Sequence, residues 1–512
     1  MRDPKALSAV RHLDFLRPRH AFATLLVLSA MSGAGTLAHA QSSGGEDTRL
    51  RLNQGIDRRS AEAERQLLES AEDPGTSSTT ILIDGQAYTV GNNASEMGQA
   101  LYVSIVRRQW ADVRRFLKAY RALGDRDPML VPYAEAALAR EAGNFSTALD
   151  QYRALLALQP DFLPARLELA RTLFESRHDR DALRLFRQIR SDLETQGDKA
   201  AGIRRTIDIF LLGLEKRRGW QGSLAIGPSY TSNLNQSSAS YACLLMGPGD
   251  VCLVDRKVPD PIAAAGINFE GTLSRRIPLG GKGGLLGRAL LYGDIYPGHG
   301  GYSQSTLSTQ IGYDHQGRRG SWSVAPTFDL ASFGSGILYS AWGIRAEAMA
   351  APTPATALRI EASRKVLDYR QRAYQDYDGA LTEIYLTGWQ ALPHGLSLFA
   401  GPDVVDKTAD HAANAYRQLG FRFGVNKQFG KVGSLLAFTS QRWRDYRGYS
   451  ELLEARRHDR EQNFVAVAKL SALRFAGLTP NILVQHNRVK SNVDWLYSYR
   501  RTAASLRLEY GF

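Results

Sequence analysis

The chain ends on the stretch "ASLRLEYGF", residues 504–512, in which apolar and polar residues alternate. Leu506, Leu508, Tyr510 and Phe512 share one parity, and the residues between them are charged or glycine. Successive side chains of a strand point to opposite faces, so this strand has one apolar and one polar face. The final strand of a soluble domain usually ends in polar residues, because its terminus is not packed against the rest of the protein. An aromatic last residue is therefore unusual there. The stretch therefore predicts a strand with lipid on one face and water on the other.

The same alternation begins near Trp220 and recurs to the end of the chain. It is clear in "SWSVAPTFDL" (321–330), "TALRIEASRK" (356–365) and "LGFRFGV" (419–425), where apolar residues keep one parity. Compact turns rich in Gly or Pro separate such segments, and counting them gives about 14 strands. About 21 residues per strand and connection suit a membrane span of roughly 10 residues. We therefore predict a transmembrane antiparallel β-barrel over residues 220–512.

Charged residues of the polar parity are candidates for the barrel interior. These lumen candidates are Arg359, Glu361, Arg422, Arg507 and Glu509. Arginines and carboxylates alternate along the strands, which is typical of a polar lumen that satisfies its own charges.

The aromatic end of the chain carries a second prediction. Tyr510 and Phe512 resemble the signal by which the barrel assembly machinery recognises outer-membrane strands. A soluble sandwich does not need such an end, and a propeller should show a repeat of 40–50 residues, which is absent from the sequence.

The first 40 residues have the composition of an export signal. Five basic residues precede the apolar stretch "AFATLLVLSAMSGAGTLA" at 21–38. Ala38-His39-Ala40 then forms an A-x-A cleavage site, which predicts cleavage between Ala40 and Gln41. An uncleaved membrane anchor is the alternative. After this segment no run of 20 apolar residues occurs, so the sequence predicts no transmembrane helix.

Residues 101–219 have helical periodicity and an internal repeat of 34 residues. The repeat aligns small and aromatic residues of successive copies, and the positions predicted to pack between helices are Ala148, Tyr152, Ala170, Ala182 and Phe186. Small residues and an aromatic at these offsets resemble the tetratricopeptide repeat. The segment "QWADVRRFLKAY" (109–120) is a degenerate first copy, offset by 35 residues. We predict a helical repeat domain with a concave peptide-binding surface; an inert helical spacer is the alternative.

Residues 41–100 carry weaker patterns. "ERQLLESAE" (64–72) predicts a short helix, and "ILIDGQAYTV" (81–90) predicts a hairpin around Asp84-Gly85.

The two cysteines, Cys243 and Cys252, flank a Gly-Pro-Gly turn. In an exported chain this arrangement predicts one disulfide, and the spacing matches no zinc pattern. The sequence also contains no nucleophile elbow, metalloprotease motif, Walker motif or dinucleotide-binding motif in a suitable context. We therefore expect no enzyme activity, no catalytic or metal site and no cofactor.

The formal net charge of +13 is unevenly distributed. The leader carries +3, residues 41–219 about +1 and residues 220–512 about +9. The excess of positive charge lies in the strand-rich half, and that half lacks the aromatic-basic motif of nucleic-acid-binding modules. Anionic lipid headgroups or an acidic cargo are the expected partners, and nucleic acid is not.

The order of these segments resembles the surface lipoprotein assembly modulator family, the outer-membrane component of type XI secretion. The likeness includes the hairpin-like stretch 81–90 before the helices. It also includes "GWQGSLAIGPSYTSNLNQ" (219–236), which opens the barrel with Asn233 and Asn235 where the chain leaves the membrane.

The resemblance implies an outer-membrane translocator with its repeat domain in the periplasm. That domain would receive a surface lipoprotein or a secreted haem- or metal-binding protein, and a monomeric barrel would conduct it to the cell surface. Expected partners are the cargo, the outer-membrane lipids and, during biogenesis, the barrel assembly machinery. Two alternatives stay open: a polysaccharide exporter that joins such repeats to a barrel, and a solute porin with a periplasmic repeat domain.

Overall fold

The computed structural model describes residues 82–83, 86–87, 90–91, 93–194, 197, 200–246, 252–317, 319–451 and 453–512. The predicted signal peptide, its cleavage site at Ala40 and Gln41, and the predicted helix over 64–72 lie outside the described residues. Ahead of the helices, β1 (Leu82–Ile83) pairs antiparallel with β2 (Gln86–Ala87), at the position of the predicted hairpin.

Seven helices follow, and the first begins earlier than the predicted boundary at residue 101. They are α1 (Ala94–Val106), α2 (Trp110–Arg121), α3 (Leu130–Glu141), α4 (Phe145–Leu158), α5 (Leu163–Glu175), α6 (Asp179–Asp192) and α7 (Ala201–Arg218). Within each of the first three pairs the chain turns through a left-handed residue, at Arg108, Gly143 and Arg177. These residues are spaced by 35 and then 34, so the backbone repeats with the period of the sequence.

The helical core is built from the repeat positions. Ala148, Tyr152, Ala170, Ala182 and Phe186 are all buried in one continuous apolar cluster. Alanine allows neighbouring helices to approach closely, and the aromatic rings fill the space between pairs.

Helix α7 covers the exposed end of the last pair. The ring of Phe210 stacks on Phe186 with centroids 5.0 Å apart and meets Phe174 edge-on at 5.1 Å. The seventh helix therefore supplies the apolar surface that a further repeat would otherwise provide.

The second half forms a closed antiparallel barrel of 14 strands, as predicted. The connection after β3 (Gln221–Thr231) contains a separate hairpin, β4 (Tyr241–Met246) and β5 (Cys252–Lys257). The other barrel strands are β6 (Ala264–Gly280), β7 (Gly283–Ile295), β8 (Gln304–Gln316), β9 (Gly320–Phe333), β10 (Gly336–Thr353), β11 (Thr356–Tyr369), β12 (Gly379–Leu392), β13 (Leu396–Lys407), β14 (Tyr416–Gln428), β15 (Ser434–Ser450), β16 (Ala455–Lys469), β17 (Leu478–Ser491) and β18 (Tyr499–Gly511). Each strand pairs with its neighbour in sequence, and β18 pairs with β3 to close the barrel.

The last strand shows how the alternation is used. Leu506, Leu508 and Tyr510 are about half exposed on the outer face, whereas Arg507 and Glu509 point inward and are buried. The other strands repeat this arrangement, so an apolar outer surface surrounds a polar interior.

The two ends of the barrel differ in the connections they carry. We call the end at which β3 begins and β18 ends the near rim; it carries the connections 281–282, 317–319, 354–355, 393–395, 429–433 and 470–477. The opposite end, the far rim, carries 232–263, 296–303, 334–335, 370–378, 408–415, 451–454 and 492–498, the last with the short helix α8 (Asp494–Tyr497). Among the described residues, no helix is long and apolar enough to cross a membrane.

Replacing Phe186 by alanine tests the packing of the repeat stack. We expect Phe186→Ala to lower the free energy of unfolding by about 3–5 kcal/mol, because a buried ring and its stacking partner Phe210 lose contact. The measurement is urea unfolding of the full chain in detergent, followed by the helical circular-dichroism signal. Leu158→Ala, at a side chain that is 75% exposed, is the control and should change little. Equal effects of the two substitutions would contradict the packing assigned to Phe186.

Candidate functional site: helical cleft and barrel interior

The helical domain has a cleft of about 340 Å³ between α2, α3 and α4. Its lining residues are Arg114, Leu117, Lys118, Arg121, Glu135, Leu138, Ala139, Thr147 and Gln151. Arg121 forms an ion pair with Glu135 across the cleft, whereas the side chains of Arg114 and Lys118 are exposed. An apolar floor with basic edges suits a peptide segment that carries apolar and acidic side chains.

A buried ion cluster joins the helical domain to the near rim. Asp179, the first residue of α6, accepts a hydrogen bond from Arg217 Nη1 of α7 at 2.6 Å. Its other carboxylate oxygen lies 3.5 Å from Arg276 Nη1 of β6. Arg276 Nε in turn donates to Asp314 of β8 at 2.7 Å. We call these four residues the docking cluster.

Further contacts surround the docking cluster on the helical side. The guanidinium of Arg217 lies over the ring of Phe174, 3.8 Å from its centroid. Arg180 Nη1 donates to the carbonyl oxygen of Leu279 at the end of β6. Burial, and next the charge of Lys282 at the near rim, lower the pKa of His178. The cleft and the near mouth of the barrel therefore belong to one assembly.

Just inside the near mouth, four strands contribute an apolar patch to the interior. Phe399, Phe438, Val465 and Leu483 are buried together, each within five residues of the near end of its strand. Gly424 on β14 faces the ring of Phe399, and a Cβ there would lie 2.3 Å from it. The absence of a side chain on β14 thus makes room for the patch.

One of the predicted lumen residues, Glu361, belongs to a charge network inside the barrel. Glu361 accepts from Arg345 Nη2 at 2.5 Å, and the Nε of the same arginine donates to Glu347 at 2.6 Å. Glu347 also accepts from Arg288 at 3.1 Å. Arg359, two residues before Glu361, is buried on the same inner face.

The other predicted lumen residues are also partnered. Arg422 Nε lies 3.7 Å from Asp403, a carboxylate that faces Arg442 on its other side at 3.6 Å. Arg507 Nη1 on β18 donates a hydrogen bond at 2.9 Å to Glu270 on β6, which lies on the other side of β3.

Glu509 completes the set by accepting from Lys469 Nζ at 2.9 Å. All five lumen candidates therefore have inward-facing, buried side chains. Because the charged side chains of these networks are balanced by partners of opposite charge, the five positions do not explain the net positive charge of residues 220–512.

Tyrosine side chains form a cluster at the far mouth that was not predicted from the sequence. Its members are Tyr369, Tyr377, Tyr416, Tyr446 and Tyr497, from three strands and two far-rim connections. Lys407 Nζ lies 5.4 Å from the centroids of both Tyr369 and Tyr377, and Arg457 lies 3.4 Å from the centroid of Tyr497. Burial raises the pKa of Tyr377 to about 12, so its hydroxyl stays neutral. Tyrosines of inward parity at the far ends of β11, β14 and β15 are the sequence signal for this cluster.

Outside the far mouth, β4 and β5 form the hairpin that carries the predicted disulfide. Cys243 and Cys252 are bonded, with Cα atoms 5.8 Å apart. The guanidinium of Arg256 lies 3.9 Å from the ring centroid of Trp495, which connects the hairpin to the β17–β18 connection. The disulfide therefore connects the two strands of a hairpin at the far rim.

Comparison with known families identifies the chain. The model described as "Surface lipoprotein assembly modifier" matches residues 220–512, and the model of its N-terminal TPR repeats matches residues 84–186. The chain belongs to the surface lipoprotein assembly modifier family. This is a family of secretion and translocation factors, not of enzymes, and its closed barrel with an apolar outer face places the chain in an outer membrane.

Relatives within the family align over most of the chain. The hemophilin secretion modulator of Acinetobacter baumannii is 36% identical over 479 residues, covering 91% of this chain and 96% of that protein. Surface lipoprotein assembly modifier 1 of Neisseria meningitidis serogroup B is 23% identical over 433 residues, or 83% and 84% of the two chains. Among solved structures, the outer membrane channel DcaP of A. baumannii has a TM-score of 0.35 at 8% identity, covering 57% of this chain and 96% of that one.

Removing the carboxylate at the centre of the docking cluster tests how much that cluster stabilises the chain. We expect Asp179→Ala to cost about 3–5 kcal/mol of unfolding free energy, because Arg217, only 10% exposed, loses its ion-pair partner. The measurement is urea unfolding of the full chain in detergent, followed by helical circular dichroism. Asp181→Ala removes an equal charge from the same helical turn, where Arg184 lies 3.7 Å away in an exposed pair. That control should cost less than about 1 kcal/mol, and similar losses in both variants would rule out a special role for the buried carboxylate.

Proposed function

We propose that the chain binds an exported protein through its helical cleft and conducts it through the barrel from the near rim to the far rim. The observation that carries this proposal is the docking cluster, in which Asp179 of the helical domain faces Arg276 of the barrel across a buried contact. A cleft in a helical domain that contacts the rim of a barrel suits the transfer of a polypeptide. The mechanism is binding and conduction, with no chemical step.

The names of the relatives support a protein as the cargo. One relative modulates the secretion of hemophilin, and the others modify the assembly of surface lipoproteins. We infer that the cargo of this chain is a surface lipoprotein or a secreted haem- or metal-binding protein. The alignment with the hemophilin secretion modulator, over 96% of its length, favours a secreted protein of the second kind.

The interior suggests successive contacts for a polypeptide in transit. Arg114 and Lys118 at the cleft favour an acidic segment, and the apolar patch at Phe399 and Phe438 lies next, just inside the near mouth. The paired charges of the middle barrel present polar walls without a large net field. At the far mouth, the connections that carry Tyr377 and Tyr497 must move apart for cargo to leave.

The same proposal fixes an orientation in the membrane. An even number of strands returns both ends of the barrel segment to the near rim, next to the helical domain. We infer that the helical domain and the near rim lie in the periplasm and the disulfide-linked hairpin lies at the cell surface, and the predicted export signal supports this orientation. The barrel acts as a monomer, is inserted by the barrel assembly machinery through the signal at Tyr510 and Phe512, and contacts the outer-membrane lipids.

Charge reversal in the cleft tests cargo binding without disturbing the barrel. We expect Arg114→Glu/Lys118→Glu to lower export roughly tenfold, the factor that corresponds to about 1.4 kcal/mol of lost binding. The measurement is the amount of cargo at the cell surface or in the medium, relative to the amount of barrel in the outer membrane. Arg184→Glu/Arg187→Glu changes the net charge equally on exposed α6 positions and should leave export unchanged. Equal export by both variants would contradict cargo binding in the cleft.

Arg422 and Arg507 in the barrel interior are unsuitable for a charge-reversal test of export, because their reversal would place buried carboxylates together.

A clean deletion tests the function as a whole. Cell-surface and culture-supernatant proteins are compared between the parent strain, the deletion and the complemented deletion. We expect one or two specific proteins to disappear from the outside and to accumulate in the periplasm, and complementation to restore them. An unchanged protein profile would refute a protein translocator, and changes in surface sugars or in small-solute uptake would then indicate a polysaccharide exporter or a porin.

A further inference from the structure

Four cationic side chains cluster on the outer face of β16, β17 and β18, near the far rim. They are Arg460, Arg488, Lys490 and Arg500, and we call them the basic patch. All four have the parity of the lipid-facing residues on their strands. Three are exposed and Arg488 is half-buried, so the patch lies on the outside of the barrel and takes no part in the lumen networks.

The strand register places like charges directly opposite one another. Arg460 is paired with Lys490 across β16 and β17, and Arg488 is paired with Arg500 across β17 and β18. Directly opposed residues have Cα atoms about 4.5–5.5 Å apart, and like charges at this spacing are destabilising. The sheet therefore carries an electrostatic cost at two adjacent positions.

No carboxylate among the described residues offsets that cost. None of the four cations has an ion-pair partner within 4.0 Å in the part of the chain that the structure describes. The acidic residue beside them on the outer face, Asp445, is occupied by His458 Nδ1 at 2.6 Å. This contrasts with the lumen, where the arginines face carboxylates.

Other outward-facing arginines in the far half of the barrel are isolated or balanced. Arg364 on β11 lies opposite Ile344 and Thr382 and donates to the Thr382 hydroxyl. Arg447 on β15 forms an ion pair with Asp406. Opposed, unpaired cations are thus a property of the basic patch and not of far-rim arginines in general.

The apolar surface of the barrel begins next to the basic patch. One step further toward the near rim, His486 lies between Phe464 and Thr502. The outward positions beyond them include Val484, Ala504 and Leu506, and all these apolar side chains are exposed. Arg500 is four residues from Ala504, the first of these apolar positions on β18, which is roughly 13 Å along the strand. Cations above an apolar surface match a ligand with an anionic head and hydrocarbon chains.

We propose that the basic patch binds a phosphate-bearing acyl lipid of the leaflet at the far rim. Phosphate oxygens accept hydrogen bonds from the opposed guanidinium groups of Arg488 and Arg500, and the acyl chains lie on the apolar surface below. Arg460 and Lys490 contact a second phosphate or the other end of a bisphosphorylated head. Bound phosphate converts two repulsive cross-strand pairs into bridged pairs, so the lipid stabilises β16–β18. The inference rests on the proposed orientation only for the identity of that leaflet, and it is independent of cargo export.

The test is thermal unfolding of the purified full chain reconstituted in phosphatidylcholine vesicles with and without bisphosphorylated lipid A. We expect lipid A to raise the Tm of the wild type and high salt to reduce the shift. Arg460→Gln/Arg488→Gln/Lys490→Gln/Arg500→Gln should lose the shift, while its Tm in phosphatidylcholine alone stays equal or rises, since repulsion has been removed. Arg364→Gln, which removes an isolated outward cation, should keep the whole shift.

Two further comparisons distinguish lipid phosphate from free phosphate and define the results that would overturn the proposal. Inorganic phosphate added to phosphatidylcholine vesicles should give little shift, and an equal shift would overturn the requirement for a lipid. An unchanged shift in the fourfold variant, or an equal loss in Arg364→Gln, would overturn the assignment to the basic patch. A second variant, Arg488→Gln/Arg500→Gln, gives the same readout with fewer changes should the fourfold variant fail to assemble. Protein export by the deletion strain complemented with either variant is scored separately, so this inference and the proposed function fail independently.

Discussion

The structure depends on the hydrogen bonds that join its first and last strands. In hydrocarbon a strand edge cannot bond to water, so every edge must find a partner within the protein. Gly222 N–H donates to the carbonyl oxygen of Phe512 at 3.0 Å, and Phe512 N–H donates to the carbonyl oxygen of Gly222 at 3.1 Å. A Cβ at Gly222 would lie 2.3 Å from the Thr272 carbonyl oxygen and 2.8 Å from the Phe512 ring, so the close approach requires glycine. The last residue of the chain thus takes part in closing the barrel.

Closure also determines where the helical domain lies. Helix α7 ends at Arg218 and β3 begins at Gln221, which leaves little chain between the domain and the seam. The helices are therefore held at the near rim beside β3 and β6, where the docking cluster forms. Within the barrel, the apolar patch lies inside the near mouth, on the side of this attachment, and the tyrosine cluster lies at the opposite mouth.

Much of this arrangement is local in sequence and could be predicted. Alternation with a period of two and glycine-rich turns revealed the strands, and the 34-residue offset revealed the helix pairs. The start of α1 could also be predicted: Asn93 is an N-cap residue, and its Oδ1 accepts a hydrogen bond from Glu96 N at 2.8 Å.

What escaped prediction depends on which distant strands become neighbours. Parity placed Arg507 in the interior, but its partner Glu270 is 237 residues away and is fixed only by barrel closure. The tyrosine cluster draws its members from separate strands and connections, so no single window of sequence contains it. The opposed cations of the basic patch likewise emerge only from the register of β16–β18. The cleft and the docking cluster required knowledge of how helices stack and where they meet β6.

The charge arrangement at Asp179 has a consequence for how the two domains separate. Among the contacts that cross between them, the one from Asp179 Oδ2 to Arg276 at 3.5 Å is an ion pair without a hydrogen bond. If the helical domain swings away, Asp179 retains Arg217 and Arg276 retains Asp314. Neither domain is left with an unpaired ion, so separation of the domains would expose two neutral ion pairs to water instead of two lone ions. The ion pairs of the docking cluster can therefore separate and re-form without leaving an unpaired buried ion on either domain.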